Sequence, residues 1–314
     1  MPCIYRDMQR GEEQGIIALV RRVFEACVAP AFAPQGVAEF YRFLEALPRR
    51  LADGVSFVLL ALEEERPVGM IEMRDGEHIA LFFVDMSHQR RGIGRALLAQ
   101  AIARALCAHP ALPTISVHAS PNAVPAYERM GFHATGDERQ MNGIRFVPMI
   151  RPLALHIRPL EPADIERVVA IAVAAWEPIY AYYRRAMGEA LFAAAYPDWR
   201  AVKGGQVRRA CAPGSGATVS LAELGGEVIG FVTFYADAAS GIGEIGNNAV
   251  HPYWQGLGIA QRLYQHAFDN LRARGQRFVK VSTGGDPAHA PARRAYERAG
   301  FDIALPTVVY YRAL

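Results

Sequence analysis

Apolar positions along the chain come in short blocks whose period switches between strand and helix. Cys3–Arg6 is a short strand candidate, and Ile16, Leu19, Val20, Val23, Phe24 and Cys27 then recur at helical spacing over about 12–28. Pro30 and Pro34 end that helix, and a second over 37–47 stops at Pro48. The runs 56–63 and 67–73 flank a charged turn and predict a hairpin. A strongly apolar run, 78–85, reads as a strand buried on both faces. Ile93, Leu97, Leu98, Ala101, Ile102 and Ala105 follow as one helical stripe. A strand at 114–118, a helix holding Tyr127 and capped by Gly131, and a strand at 144–149 complete this half.

The pattern then restarts. A strand at 156–159 and a helix over 163–176 precede a segment rich in aromatics: Tyr180, Tyr182, Tyr183, Phe192, Tyr196 and Trp199. A second hairpin, 217–223 with 228–235, turns at Gly225-Gly226, and a strand covers 244–251. Ile259, Leu263, Tyr264, Ala267, Phe268 and Leu271 each lie 166 residues after a member of the first stripe. A strand at 277–282, a helix holding Tyr296 and a closing strand at Thr307–Tyr311 are expected to finish the chain. Repetition in sequence order over this length means duplicated domains. A chain of 314 residues suits two cores, and the stiff stretch around Pro152 sets expected ranges of 1–153 and 154–314.

Composition narrows the function classes. A net charge of +3, with 52% hydrophobic and 21% charged residues, describes an ordinary globular chain and argues against a dedicated nucleic-acid surface. Cys3, Cys27, Cys107 and Cys211 are scattered, which points to reduced thiols of a cytoplasmic protein and to no metal site. Residues 1–15 are polar and read as no secretory signal, and the most apolar stretch, 168–176, is too short to span a bilayer.

Two motifs carry the chemistry, each present twice. The first is Gln89-Arg90-Arg91-Gly92-Ile93-Gly94-Arg95 and Gln255-Gly256-Leu257-Gly258-Ile259-Ala260-Gln261, each between an apolar strand and a helix start. Such a junction aims several backbone N–H groups and a helix dipole at one spot suited to a phosphate or pyrophosphate. The second is Tyr127-Glu128-Arg129-x-Gly131-Phe132, repeated as Tyr296-Glu297-Arg298-x-Gly300-Phe301. No Gly-Lys-Ser/Thr follows either loop, so a Walker phosphate loop is a poor fit, and no acidic residue stands where a Rossmann ribose contact would.

With these motifs together, each half resembles a GNAT-type N-acetyltransferase domain. The resemblance implies an α/β (α+β) fold: two tandem domains, each a mixed, mostly antiparallel sheet flanked by helices, with two central parallel strands that splay to admit the pantetheine arm of acetyl-CoA. It also implies that the two loops hold the pyrophosphate, and that backbone groups at Val84 and Val250 hold the thioester carbonyl. Tyr127 and Tyr296 match the acid that protonates the departing thiolate. His78 and Glu244 stand six residues before the loop valines, where some family members carry the base. Ser120 and His289 occupy the place of a pantetheine-contacting asparagine, with Asn122 close by. Asn248 shares a face with Glu244 if no bulge intervenes.

The implied activity is acetyl-CoA-dependent N-acetylation of the primary amine of a small-molecule acceptor, without nucleic acid or membrane, and with a homodimer allowed. Two alternatives stay open: one catalytic and one degenerate domain, or an acyl-CoA-binding module without turnover. The halves differ in a way that bears on this choice. Leu81-Phe82-Phe83 precedes a basic loop, whereas Asn247-Asn248 precedes a less basic one.

Overall fold

The computed structural model describes residues 3–312; the outermost residues of both expected domain ranges, 1–2 and 313–314, lie outside the described residues. The chain forms two compact units, one ending at Ala154 and the other beginning at Leu155.

In the first unit, β1 (Ile4–Asp7) precedes α1 (Glu13–Cys27), α2 (Pro34–Glu45) and α3 (Leu47–Ala52). β2 (Ser56–Glu63), β3 (Arg66–Arg74) and β4 (His78–Val84) then run antiparallel. α4 (Ile93–Ala108) leads to β5 (Thr114–Ala119), α5 (Val124–Glu128) and the short β6 (His133–Ala134) and β7 (Arg139–Met141), and β8 (Ile144–Pro152) closes the unit. The sheet order is β1-β2-β3-β4-β5-β8-β6, with β7 on β8 and one parallel pair, β4 with β5. The face of α1 read from the sequence is the one buried: Ile16, Leu19, Val20 and Val23 pack with Leu44, Leu47, Leu60 and Met70.

The second unit repeats this order as far as α5: β9 (Leu155–Pro159), α6 (Ile165–Met187), α7 (Glu189–Ala195), α8 (Trp199–Cys211), β10 (Thr218–Leu224), β11 (Glu227–Tyr235), β12 (Ile242–Val250), α9 (Ile259–Ala273), β13 (Phe278–Val281) and α10 (Ala290–Arg298). Its sheet runs β13-β12-β11-β10-β9, again with one parallel pair, β12 with β13. Val168, Ile171, Val207, Leu221 and Phe231 form the core on the α6 side. In both units a glycine opposite the loop valine lets the next helix sit close. A Cβ on Gly69 would lie 3.1 Å from Ile93 and Leu97, and one on Gly230 would lie 3.4 Å from Leu263.

Two expectations differ from the structure. The helix expected to end at Trp176 continues to Met187 through Pro178. Stacking of Tyr180 on Trp199 and of Tyr183 on Tyr196 holds the second half of α6 beyond the proline. The closing strand at Thr307–Tyr311 does not form: residues 299–312 carry no regular secondary structure, and Val308, Val309 and Tyr310 are exposed. Tyr311 instead hydrogen-bonds to Tyr196.

Candidate active site

The central parallel strands separate in both units, and the register gives the cause. β4 pairs with β5 only at His78↔Ser116 and Ile79↔Val117, and β12 with β13 only through Ile245↔Val281. Just beyond each last pair the strand carries an extra residue against its antiparallel neighbour. Glu72 opposes Leu81 and Met73 opposes Ile79, so Ala80 is extra; Val232 opposes Asn248 and Phe234 opposes Ile245, which leaves an extra residue between them. A bulge bends its strand and increases local twist, here turning β4 and β12 away from their parallel partners. Gly246 fits this kink, since a Cβ there would lie 2.7 Å from Thr233 Oγ1. The bulge also breaks the alternation that would have put Glu244 and Asn248 on one face.

Each gap opens toward a glycine loop. Gly92 and Gly258, the residues before α4 and α9, have φ of +82° and +72°. Two positions earlier Arg90 (+61°) and Gly256 (+85°) are also left-handed. Repeated left-handed residues turn successive N–H groups into one concavity, the form that receives phosphate oxygens. In both units the loop glutamine folds back on the strand: Gln89 Nε2 donates to the Val84 carbonyl at 3.2 Å, and Gln255 Nε2 to the Val250 carbonyl at 3.0 Å. The residue after each valine holds the turn: Asp85 accepts from the Ser87 N–H, and His251 Nδ1 from the Tyr253 N–H.

The loops differ in charge. Glu63 ion-pairs with Arg91 at 2.6 Å and hydrogen-bonds His88 at 2.8 Å, and these contacts pull its carboxyl down to about 2. Arg90 and Arg95 make no ion pair among the described residues, so they remain available to a phosphate. In the second loop Gln261 instead ties α9 to α10 through the Ala295 carbonyl at 2.8 Å.

The two tyrosines sit in opposite surroundings. Tyr296 is buried on α10, and its hydroxyl is 3.1 Å from Asn248 Nδ2; Tyr264 donates to Asn248 Oδ1 at 2.8 Å. Burial raises the Tyr296 pKa, while the bonds to Asn248 and Tyr264 act the other way. The phenol is therefore protonated at neutral pH but has donors ready to stabilise its anion. Tyr127 is equally buried, with the Phe82 and Phe132 rings against it, and its hydroxyl makes no hydrogen bond among the described residues. Burial alone drives its pKa up. Phe82 and Leu98 stand 166 positions before Asn248 and Tyr264, so the first unit has apolar side chains where the second has polar partners.

Neither candidate base lies beside its tyrosine. His78 and Glu244 are each four residues along the strand from the residue touching the tyrosine, about 13 Å at ~3.3 Å per residue. His78 is half-buried, with Nδ1 2.9 Å from Ser116 Oγ and its ring edge-on to His118. Burial, then the neighbouring His118 and Arg74, lower its pKa to about 4, well below the ordinary imidazole range. Glu244 is 41% exposed and ion-paired with Lys280 at 3.1 Å. The substitutes for the pantetheine asparagine also diverge. Asn122 donates to the Cys27 carbonyl, and Ser120 accepts at its carbonyl from the Ala123 N–H. His289 joins Asp286 at 2.7 Å. Tyr264 and Asp286 were not singled out in the sequence: Tyr264 looked like one more member of an apolar stripe, and Asp286 lies in a loop without pattern.

Comparison with known proteins agrees with the architecture. Residues 28–153 match the family description "Acetyltransferase (GNAT) domain", and residues 176–301 match "Acetyltransferase (GNAT) family". The "Uncharacterized N-acetyltransferase YafP" of Escherichia coli (strain K12) is 30% identical over 135 residues, 43% of this chain and 83% of that protein. A GCN5-related N-acetyltransferase structure from Rhodopseudomonas palustris shares 20% identity at a TM-score of 0.41, covering 49% of this chain and 97% of its own. The PaiA N-acetyltransferase of Thermoplasma acidophilum, solved in complex with coenzyme A, shares 15% identity at a TM-score of 0.38, covering 48% of this chain and 98% of its own. The chain belongs to the GNAT family of acyltransferases and carries two GNAT domains in tandem.

Proposed function

We propose that the protein is an acetyl-CoA-dependent N-acetyltransferase for a small-molecule primary amine, and that its second unit carries the turnover. The observation behind this reading is the Tyr264–Asn248–Tyr296 group at the splayed part of β12. Acetyl-CoA supplies an electrophilic thioester carbonyl and a thiolate leaving group. The residues around Gln255–Gln261 offer N–H groups for its pyrophosphate, and the backbone at Val250 would hold the carbonyl. Tyr296 gives its proton to the departing sulfur. Asn248, itself anchored by Tyr264, donates to the phenolate oxygen left behind.

The first unit, by this reading, keeps a coenzyme loop around Gln89–Arg95 but lacks the polar setting for proton transfer at Tyr127. Its role is acyl-CoA binding or support. The partly exposed faces of Tyr180, Tyr183 and Tyr196 favour an acceptor that is cationic or carries an apolar body. A panel of amines incubated with acetyl-CoA, followed by free thiol release, tests the reading. Amine-dependent thiol release that disappears in Tyr296→Phe supports it, and release unchanged by that substitution overturns it.

A further inference from the structure

The sequence offers His78 and Glu244 as bases, each four residues along its strand from the residue that touches the tyrosine; another imidazole stands at the start of the helix that carries Tyr296. His289 directly precedes α10, seven residues before Tyr296. Seven residues return to nearly the same helix face about 10.5 Å along the axis, and helical side chains lean toward the N-terminus. The Tyr296 hydroxyl therefore leans toward His289, and both belong to the segment after β13 that borders the splay. His289 Nδ1 is 2.7 Å from Asp286 Oδ2. Asp286 Oδ1 accepts from the N–H groups of Ala288 and His289, and Arg293 caps the Gly284 and Asp286 carbonyls. Burial pushes the Asp286 carboxyl up, but the bonds from His289 and the two N–H groups outweigh it and hold it below its ordinary value. A charged Asp286 fixes the Nδ1–H tautomer, which leaves Nε2 as an acceptor; Nε2 makes no hydrogen bond among the described residues. The aromatic group of α6 meets this dyad. The Tyr183 ring is 6.3 Å from the imidazole, and its hydroxyl is 3.5 Å from Asp286 Oδ2.

We infer that His289, oriented by Asp286, is the group that takes the proton from the acceptor ammonium in the second unit. The inference rests on the N-acetyltransferase reading above. Nε2 removes one proton and frees the amine lone pair. The N–C bond forms as the C–S bond breaks, and the thiolate takes the Tyr296 proton. The proton left on the new amide nitrogen restores Tyr296 through solvent, and the imidazolium returns its own to solvent, so one proton is released per turnover. The groups facing His289 are Asp286, Arg293 and the phenol of Tyr183, whose pKa burial, then Asp286, raise to about 12. Asp286 is therefore charged and the Tyr183 phenol neutral near neutral pH.

The test compares kcat/KM against pH for wild type, His289→Asn, Asp286→Asn and Glu244→Gln, with calorimetric acetyl-CoA affinity and 15N spectra of the histidine side chains. His289→Asn should lower kcat/KM about tenfold or more near neutrality and abolish the acid limb assigned to the imidazole, with acetyl-CoA affinity unchanged. Asp286→Asn should cause a smaller loss and shift the limb. Glu244→Gln should superimpose on wild type. The spectra should show His289 as the Nδ1–H tautomer in wild type and a mixture in Asp286→Asn. A wild-type profile for His289→Asn, or an Nε2–H tautomer, overturns the dyad while leaving the acetyltransferase reading intact if Tyr296→Phe is impaired. No thiol release with any amine in wild type overturns both.

Discussion

The two units have the same bulged central strand, the same left-handed loop and a buried tyrosine at the same place, yet only one tyrosine has polar company. Tyr296 meets Asn248 and, through it, Tyr264; Tyr127 meets Phe82 and Phe132. Duplicated backbones therefore carry different chemical capacity. Both tyrosines bury a ring against neighbouring aromatic side chains. Proton transfer also needs donors placed to stabilise the anion, and two substitutions, at 82/248 and 98/264, decide whether they exist. Charge divides the units in the opposite sense: Arg90 and Arg95, neither in an ion pair among the described residues, make the first loop the more basic.

The largest expected effect tests this division directly. Tyr296→Phe should lower kcat roughly 10²-fold or more with acetyl-CoA affinity unchanged, whereas Tyr127→Phe should leave kcat within about twofold. Equal losses in steady-state assays would break the comparison. Next in size, Ala260→Glu and Gly94→Glu each put a carboxylate where a pyrophosphate would rest. Each should weaken its own site at least about tenfold, or ~1.4 kcal/mol. Calorimetric titration should then show one class of site remaining in each single variant and none in the double. Tyr264→Phe removes one hydrogen bond to Asn248, a loss of about 1 kcal/mol, or roughly fivefold in kcat. No change in kcat would mean Asn248 is held without it.

A separate effect bears on acid stability and not on turnover. His78 is held near pKa 4, below the unfolded value of about 6.5. A depressed pKa means the unfolded chain binds the proton first, so this stability is complete above about pH 6.5 and is lost as pH falls toward 4. His78→Asn should flatten that part of the melting-temperature profile.

Much of this arrangement was legible in the residues. Hydrophobic period and glycine position marked the duplicated strand–loop–helix unit, because apolar burial and left-handed turns restrict which residues fit. The aromatic segment after Trp176 was harder to read. Pro178 signals an end to a helix, but stacking of Tyr180 on Trp199 and of Tyr183 on Tyr196 overrides that local preference. The closing strand at 307–311 had strand composition, yet composition cannot supply the neighbour whose hydrogen bonds make a strand.

By itself, the sequence determined which residues repeat: the loops after Val84 and Val250, the tyrosines, and the helical stripes that bury against each sheet. These are local or periodic constraints, written in consecutive residues. Tertiary structure alone decided which side chains meet. One extra residue at Ala80, and one between Ile245 and Asn248, bends each central strand and turns Asn248 to the face opposite the one expected from Glu244, toward α9. It also leaves His78 and Glu244 far along the strand, and the chain path after β13 brings His289 to Asp286. No alternation rule reveals such encounters, because a bulge is defined by the register of one strand against another.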